Sequence, residues 1–142
     1  MSLVESIRHD GAIHELRLAR PPVNALNPAL CDALREAVAT AVAEGAHGLV
    51  LSGGPKVFSA GMDVPYLLGL GDDRNALKSA WEAFFAAARA LAGCPMPVVA
   101  AVAGHAPAAT TGTAHSASAR AAAKNASHAD FSALRSSPRP SR

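Results

Sequence analysis

Residues 48–63 read GLVLSGGPKVFSAGMD, and this stretch decides the fold. Its first five residues form a short apolar run, which is typical of a strand buried in a parallel sheet. Residues 53–71 are predicted to form a loop-rich stretch, which begins at the carboxyl end of that strand. Loops in this position hold the ligands of α/β proteins, and their exposed main-chain N–H groups can bind an oxyanion. By itself, the pattern favours a tight turn around a buried Phe58 over a ligand site.

Two strands are predicted near the N-terminus, from Val4 to His9 and from Ala12 to Leu18. Asp10-Gly11 lies between them, and this dipeptide is typical of a tight two-residue hairpin turn because glycine tolerates positive φ. Pro21-Pro22 ends the second strand, since proline cannot donate a hydrogen bond to a ladder. The chain is therefore expected to start with an antiparallel hairpin.

A helix is predicted after the hairpin, between Asn27 and Gly45. Asn27 is a suitable N-cap and Pro28 suits the first turn, while a glycine such as Gly45 is typical of a C-terminal stop. Apolar residues that recur every four positions predict one buried face. They are Leu30, Leu34, Val38 and Val42, with Ala37 and Ala41 beside them.

A second helix is predicted from Asp72 to Ala92, within the usual boundary error. Its expected inner face consists of Leu77, Trp81, Phe84, Ala88 and Leu91. A buried strand from Pro97 to Ala103 follows, closed by Gly104. Strand, helix and strand form a βαβ unit, so the two strands should be parallel with a right-handed crossover. The fold class is therefore α/β.

Residues 108–142 differ sharply in composition from residues 1–107. The first part carries a net charge of −2 and the second a net charge of +4. The second part has eleven alanines and seven serines, and Phe131 and Leu134 are its only large apolar residues. It cannot bury enough apolar surface to offset its ordering entropy. We therefore expect a folded portion, 1–107, and a low-complexity Ala/Ser/Arg tail, 108–142, that is disordered or weakly helical.

Composition argues against several classes of protein. No window holds 18 uninterrupted apolar residues, which argues against a membrane span. The N-terminus mixes charges and has no apolar h-region, which favours a cytoplasmic chain over a secreted one. Cys31, Cys94 and the six histidines show no metal-ligand spacing. The tail has scattered charges and one aromatic residue, which favours a solvated end over a nucleic-acid-binding arm.

Three motifs occur in order along the chain: RPPVNAL at 20–26, FSAGMD at 58–63 and VVAAVAGHAPA at 98–108. Together they resemble the N-terminal part of the enoyl-CoA hydratase/isomerase (crotonase) family, over residues 2–108. The first two motifs are nearer in form to the Δ3,Δ2-enoyl-CoA isomerase branch than to the typical hydratase. The resemblance implies the first portion of a crotonase-like ββα spiral fold. It also implies hydration or double-bond isomerisation of enoyl-CoA thioesters, as in fatty acid metabolism.

The resemblance further implies a site in which two main-chain N–H groups hold an enolate-like thioester oxygen. The first donor would be the N–H of Met62, and the second that of Ala109, where the family usually has glycine. Alanine keeps the N–H but restricts φ and adds a methyl group. The residues implied to line the acyl-CoA path are Val23, Ala25, Ala60, Asp63 and Val64. The family uses no metal or redox cofactor and forms trimers or hexamers.

The family's acid–base residues are glutamates, two in hydratases and one in isomerases. The first would align with Gly112, and no glutamate follows Glu82 in this chain. We therefore expect a catalytically impaired form, and we hypothesise a reading-frame change or an artificial replacement starting near Ala109. Two alternatives stay open: a non-catalytic fragment with a partial CoA-binding surface, and an interaction protein with a basic tail.

Overall fold

The computed structural model describes residues 2–106, which fold into a four-stranded sheet with three helices. In chain order the elements are β1 (Val4–His9), β2 (Ile13–Leu18), α1 (Pro28–Ala43), β3 (Gly48–Ser52), α2 (Val64–Gly69), α3 (Arg74–Ala92) and β4 (Val98–Ala101). The strand order is β1-β2-β3-β4; β1 and β2 are antiparallel, and the other neighbours are parallel. The predicted α/β class and the parallel pairing of β3 with β4 are confirmed. The predicted tail, 108–142, lies outside the described residues.

The hairpin between β1 and β2 differs from the predicted two-residue turn. His9 pairs with Ile13, so three residues, Asp10–Ala12, form the connection as a short 3-10 turn. The reason is register. Val4 pairs with Leu18, and both are buried. A two-residue turn would shift the pairing by one residue. The buried apolar side chains of one strand would then face solvent. Burial therefore overrides the local preference of Asp-Gly, and Ala12 takes a positive φ of 59°.

Helix α1 begins and ends as the sequence predicts. The side chain of Asn27 accepts a hydrogen bond from the N–H of Leu30, and Gly45 follows the helix with a φ of 76°. The predicted face is wrong at Val42, which is 38% exposed, while Ala41 is buried. Positions four apart drift by about 40° per step around a helix that turns about 100° per residue. By the third step the buried position has therefore passed to Ala41.

The core lies between one face of the sheet and α1, and α3 packs on α1 as an outer layer. Its buried apolar residues are Val4, Leu16, Leu18, Leu30, Leu34, Val38, Ala41 and Leu49. Burial of this kind stabilises a fold by about 25 cal/mol per Å² of apolar surface. The core therefore anchors the carboxyl ends of β2 and β3, from which the two motif segments emerge.

Helix α3 starts two residues later than expected, at Arg74 with Asp73 as N-cap, and Gly93 ends it as predicted. Its predicted inner face is confirmed at Leu91, which packs against the core, and is wrong at three other positions. The buried residues are Ala80 and Ala87, whereas Leu77 and Trp81 are exposed, as is Ala88. The buried positions of α3 are thus occupied by alanines, whose small side chains let a helix approach its neighbour closely.

Two further boundaries differ from the sequence prediction. Helix α2 forms within the stretch expected to be loop, because Asp63 caps it and Pro65 suits its first turn. Strand β4 is shorter than the predicted Pro97–Ala103, since only Val98–Ala101 pairs with β3. Among residues 2–106, no helix is long and apolar enough to cross a bilayer.

Candidate functional site

The first two sequence motifs lie side by side at the carboxyl end of the sheet. Leu26 pairs with Met62 in a single parallel bridge. The N–H of Leu26 donates to the carbonyl of Gly61 at 2.7 Å, and the N–H of Asp63 donates to the carbonyl of Leu26 at 2.9 Å. Earlier in both segments, the N–H of Ala60 donates to the carbonyl of Val23 at 2.9 Å. The structure thus brings segment 20–26 against segment 58–63.

Asn24 joins the two segments through its side chain and its carbonyl. It is 7% exposed and takes a left-handed φ of 50°, which asparagine tolerates better than most residues. Its Oδ1 accepts from the N–H of Arg20 at 2.8 Å, and its Nδ2 donates to the carbonyl of Phe58 at 3.0 Å. Its own carbonyl accepts from the hydroxyl of Ser59 at 2.8 Å. The oxygen of this buried side chain thus orders segment 20–26, and its nitrogen bridges to segment 58–63.

An ion pair also connects the two segments. Nη2 of Arg20 lies 2.8 Å from Oδ2 of Asp63, and Nη1 of Arg20 donates to the carbonyl of Ala25 at 2.7 Å. The second carboxylate oxygen of Asp63 accepts from the N–H of Tyr66 at 3.0 Å and caps α2. Both carboxylate oxygens of Asp63 therefore have partners within the protein, and its N–H and carbonyl are bonded to Leu26 and Leu67.

The start of the loop is held by close backbone contacts. A Cβ atom on Gly53 would overlap the backbone of Phe58, and one on Gly104 would overlap the backbone of Lys56. The N–H of Phe58 donates to the carbonyl of His105 at 2.8 Å, and the N–H of His105 donates to the carbonyl of Lys56 at 2.9 Å. Both glycines are therefore required sterically, and the segment after β4 secures the loop.

The amide of Met62 points away from this network. The carbonyl of Gly61 and the N–H of Met62 belong to one trans peptide, so they point in opposite directions. Since that carbonyl binds Leu26, the N–H of Met62 faces the other side of the segment. It has no hydrogen-bond acceptor within residues 2–106. A main-chain donor placed like this can bind an oxygen atom that carries negative charge.

The other predicted site residues are placed as follows. Val23, Ala25 and Ala60 are half-buried on the paired segments. Val64 begins α2 and is 55% exposed. Ala109 lies outside the described residues. Within residues 2–106, no cluster of three or more His, Cys, Asp or Glu side chains is placed to hold a metal ion.

Sequence reasoning missed the roles of Arg20, Asn24 and Ser59 at this junction. A signal was available, because the two motifs carry one opposite charge each, on Arg20 and on Asp63. Their pairing could have been predicted from the resemblance to one known fold, but not from spacing along the chain. Asn24 and Ser59 give no such signal, since a polar residue in a loop is usually solvated.

Comparison with known proteins shows which family has this arrangement. A family model described as enoyl-CoA hydratase/isomerase matches residues 8–134. A solved structure described as a probable enoyl-CoA hydratase of Mycobacterium tuberculosis H37Rv is 33% identical with a TM-score of 0.63, and the match covers 70% of this chain and 41% of that chain. A structure from the same species, described as an enoyl-CoA isomerase, is 31% identical with a TM-score of 0.63, covering 71% of this chain and 42% of that chain.

A third solved structure, described as an enoyl-CoA hydratase/carnitine racemase of Magnetospirillum magneticum, is 32% identical with a TM-score of 0.65. The match covers 72% of this chain and 39% of that chain. The chain thus spans about two fifths of the length of these structures. No curated protein sequence matches it significantly. On the family match and the shared fold, this chain belongs to the enoyl-CoA hydratase/isomerase family, as a partial crotonase domain.

Proposed function

We propose that this chain binds acyl-CoA thioesters and holds the thioester oxygen with the main-chain N–H of Met62. In the family's chemistry the oxygen gains negative charge as an enolate forms. A donor already aimed at that position stabilises the charge without reorganising. Val23, Ala25, Ala60 and Val64 would line the acyl-CoA path, and Ala109 would supply the second N–H. The thioester is the ligand, and the proposal requires no further cofactor.

The orientation of the Gly61–Met62 peptide carries this proposal. An amide that paired with Leu26 would be unable to meet a ligand, but the pairing uses the carbonyl of Gly61 and the N–H of Asp63 instead. The N–H of Met62 therefore remains available on the side opposite Leu26. Loss of one such donor costs enzymes of this general kind about 3 kcal/mol of transition-state stabilisation.

We expect binding without turnover from this chain. The proton transfers of the family require a carboxylate that can take and return a proton, and no glutamate follows Glu82 in the 142 residues. The acid–base step is thus the part of the family's activity that this chain is not expected to perform. The choice between hydratase and isomerase chemistry, and assembly into trimers, stay predictions.

Binding of crotonyl-CoA to the full chain, measured by calorimetry, tests the proposal. The control ligand is a CoA thioether of the same chain length, which lacks the carbonyl oxygen. We expect the thioester to bind about tenfold more tightly, as one charge-assisted or well-oriented hydrogen bond would provide. Equal affinities for the two ligands would contradict the role of Met62.

A matched pair of variants sharpens the test. Met62→Pro removes the N–H, whereas Met62→Leu keeps it and changes only the side chain. We expect the first variant to lose the preference for the thioester and the second to retain it, with circular dichroism confirming that both are folded. Assays with crotonyl-CoA and with a 3-enoyl-CoA should show no turnover in any of the three proteins. A clear rate would contradict the expected loss of acid–base chemistry.

A further inference from the structure

The hydroxyl of Ser59 connects the two segments directly before Met62. Ser59 is 7% exposed, and its Oγ–H donates to the carbonyl of Asn24 at 2.8 Å. The same oxygen accepts from the N–H of Gly61 at 3.1 Å. One buried hydroxyl therefore links segment 20–26 to the residue whose carbonyl shares a peptide with the Met62 amide.

Gly61 has the fewest steric restrictions on its backbone among residues 58–63, because it lacks a Cβ atom. It takes a φ of 84°, in the left-handed region that glycine alone adopts at little cost. Without restraint, rotation about its two backbone bonds would turn the Gly61–Met62 peptide freely. Two hydrogen bonds oppose this rotation: the N–H of Gly61 is held by Ser59, and its carbonyl is held by the N–H of Leu26.

We propose that Ser59 is a positioning residue that sets the direction of the Met62 amide by holding Gly61. The inference rests on the proposed role of Met62 as the thioester donor, and it adds a residue that does not touch the ligand. Asn24 extends the same restraint, because its carbonyl binds the Ser59 hydroxyl and its Nδ2 binds the carbonyl of Phe58. Ser59 and Asn24 thus hold the turn on the side opposite to the N–H of Met62.

A spectroscopic measurement separates positioning from a merely structural role. Crotonyl-CoA labelled with ¹³C at the thioester carbonyl is bound to the full chain, and the carbonyl stretch is recorded by infrared difference spectroscopy. A hydrogen bond from Met62 lowers the stretching frequency because it polarises the carbonyl. In Ser59→Ala we expect the band to move to higher frequency and broaden, and binding of the thioester to weaken about tenfold. Binding of the CoA thioether should not change.

Ser52→Ala provides the matched control. Ser52 is also buried, at 8% exposed, but its hydroxyl donates to Oε1 of Glu15 at 2.6 Å on the sheet. The Ser52→Ala variant therefore loses a comparable hydrogen bond without changing the turn that contains Gly61. The carbonyl band of the Ser52→Ala complex should match that of the wild type. An identical band in wild type and Ser59→Ala would overturn the inference, while a wild-type band equal to that of the free thioester would overturn the proposed function.

Amide hydrogen exchange, first on the unliganded wild type, gives a second measurement. We expect the Gly61 amide to be protected by Ser59 and the Met62 amide to exchange quickly, then to slow when crotonyl-CoA is added. In Ser59→Ala the Gly61 amide should exchange about tenfold faster. A Gly61 amide that exchanges quickly in the wild type would show that Ser59 does not hold it, and the inference would fail even if the thioester binds.

Discussion

Helices α1 and α3 pack against each other but bury opposite kinds of side chain. Helix α1 lies between the sheet and α3 and buries Leu30, Leu34 and Val38. Helix α3 buries only Ala80 and Ala87. Its large side chains point elsewhere: Trp81 is 39% exposed and Phe85 is 50% exposed. Helix α1 is thus stabilised by the burial of large apolar side chains, whereas the fully buried side chains of α3 are small.

The exposed side of α3 has an internal order of its own. The rings of Trp81 and Phe84 are 5.9 Å apart and edge to face, and those of Trp81 and Phe85 are 5.9 Å apart and stacked. Such ring pairs contribute about 1 kcal/mol beyond their buried area. The three aromatic side chains of α3 therefore stabilise one another. The difference between the helices predicts that equal substitutions will have unequal effects.

The largest expected effect is that of a leucine deletion, compared between the two helices. Leu30→Ala empties a site that is 0% exposed and should lower the free energy of unfolding by about 3 kcal/mol. Leu77→Ala makes the same change at a position 38% exposed and should cost about 1 kcal/mol or less. Urea unfolding of both variants measures the difference. Equal losses would break the comparison and show that something beyond residues 2–106 covers α3.

A smaller effect is expected from enlarging the alanines of α3. Ala87 is 5% exposed on a helix that packs on α1, so Ala87→Leu should overpack its surroundings and cost about 2 kcal/mol. Ala88→Leu places the same side chain one residue later, on the exposed side. Because leucine and alanine have similar helix propensities, it should change stability by less than about 0.5 kcal/mol. Thermal unfolding measures this difference. Equal melting temperatures for the two variants would contradict tight packing around Ala87.

The two helices also show which parts of this structure could be predicted from the sequence. Caps are local, so Asn27, Gly45 and Gly93 placed the helix ends correctly. A helix face is not local, because periodicity shows that an apolar stripe exists but not which layer covers it. In helix α3 the apolar stripe therefore predicted Leu91 correctly but not Leu77 or Trp81, because the fully buried positions are Ala80 and Ala87.

The same distinction holds at the candidate site. The motifs of residues 20–26 and 58–63 marked the two segments, and the structure brings them together. The roles of Asn24 and Ser59 could not be predicted, since they depend on main-chain groups about 35 residues away along the chain. The direction of the Met62 amide depends on register with Leu26, which a sequence pattern does not specify.

The smallest expected effect concerns the end of α1. Glu44 caps the helix and accepts a hydrogen bond from Arg8 of β1, and its second oxygen lies 3.6 Å from Nδ1 of the buried His14. The hydrogen bond from Arg8, supported by its positive charge, lowers the pKa of the Glu44 carboxyl below its ordinary value. Helix α3 ends instead at Ala92, and the N–H of the following Gly93 donates to the carbonyl of Arg89.

A lowered folded-state pKa means that the Glu44 contribution is present above the unfolded value of about 4.3 and is lost as pH falls through the lower folded value. The melting temperatures of wild type and Glu44→Gln should therefore differ slightly near neutral pH and converge in acid. In an Arg8→Gln background the difference should shrink at every pH, because the largest cause of the shift has been removed. Glu82→Gln on α3, where the carboxylate lies 3.7 Å from Lys78 with both side chains exposed, is the matched control and should leave the melting temperature unchanged. A gap between wild type and Glu44→Gln that persists unchanged into acid would contradict the role of the ion pair with Arg8, because both proteins keep the backbone N–H of position 44 that bonds to Thr40 and Val42.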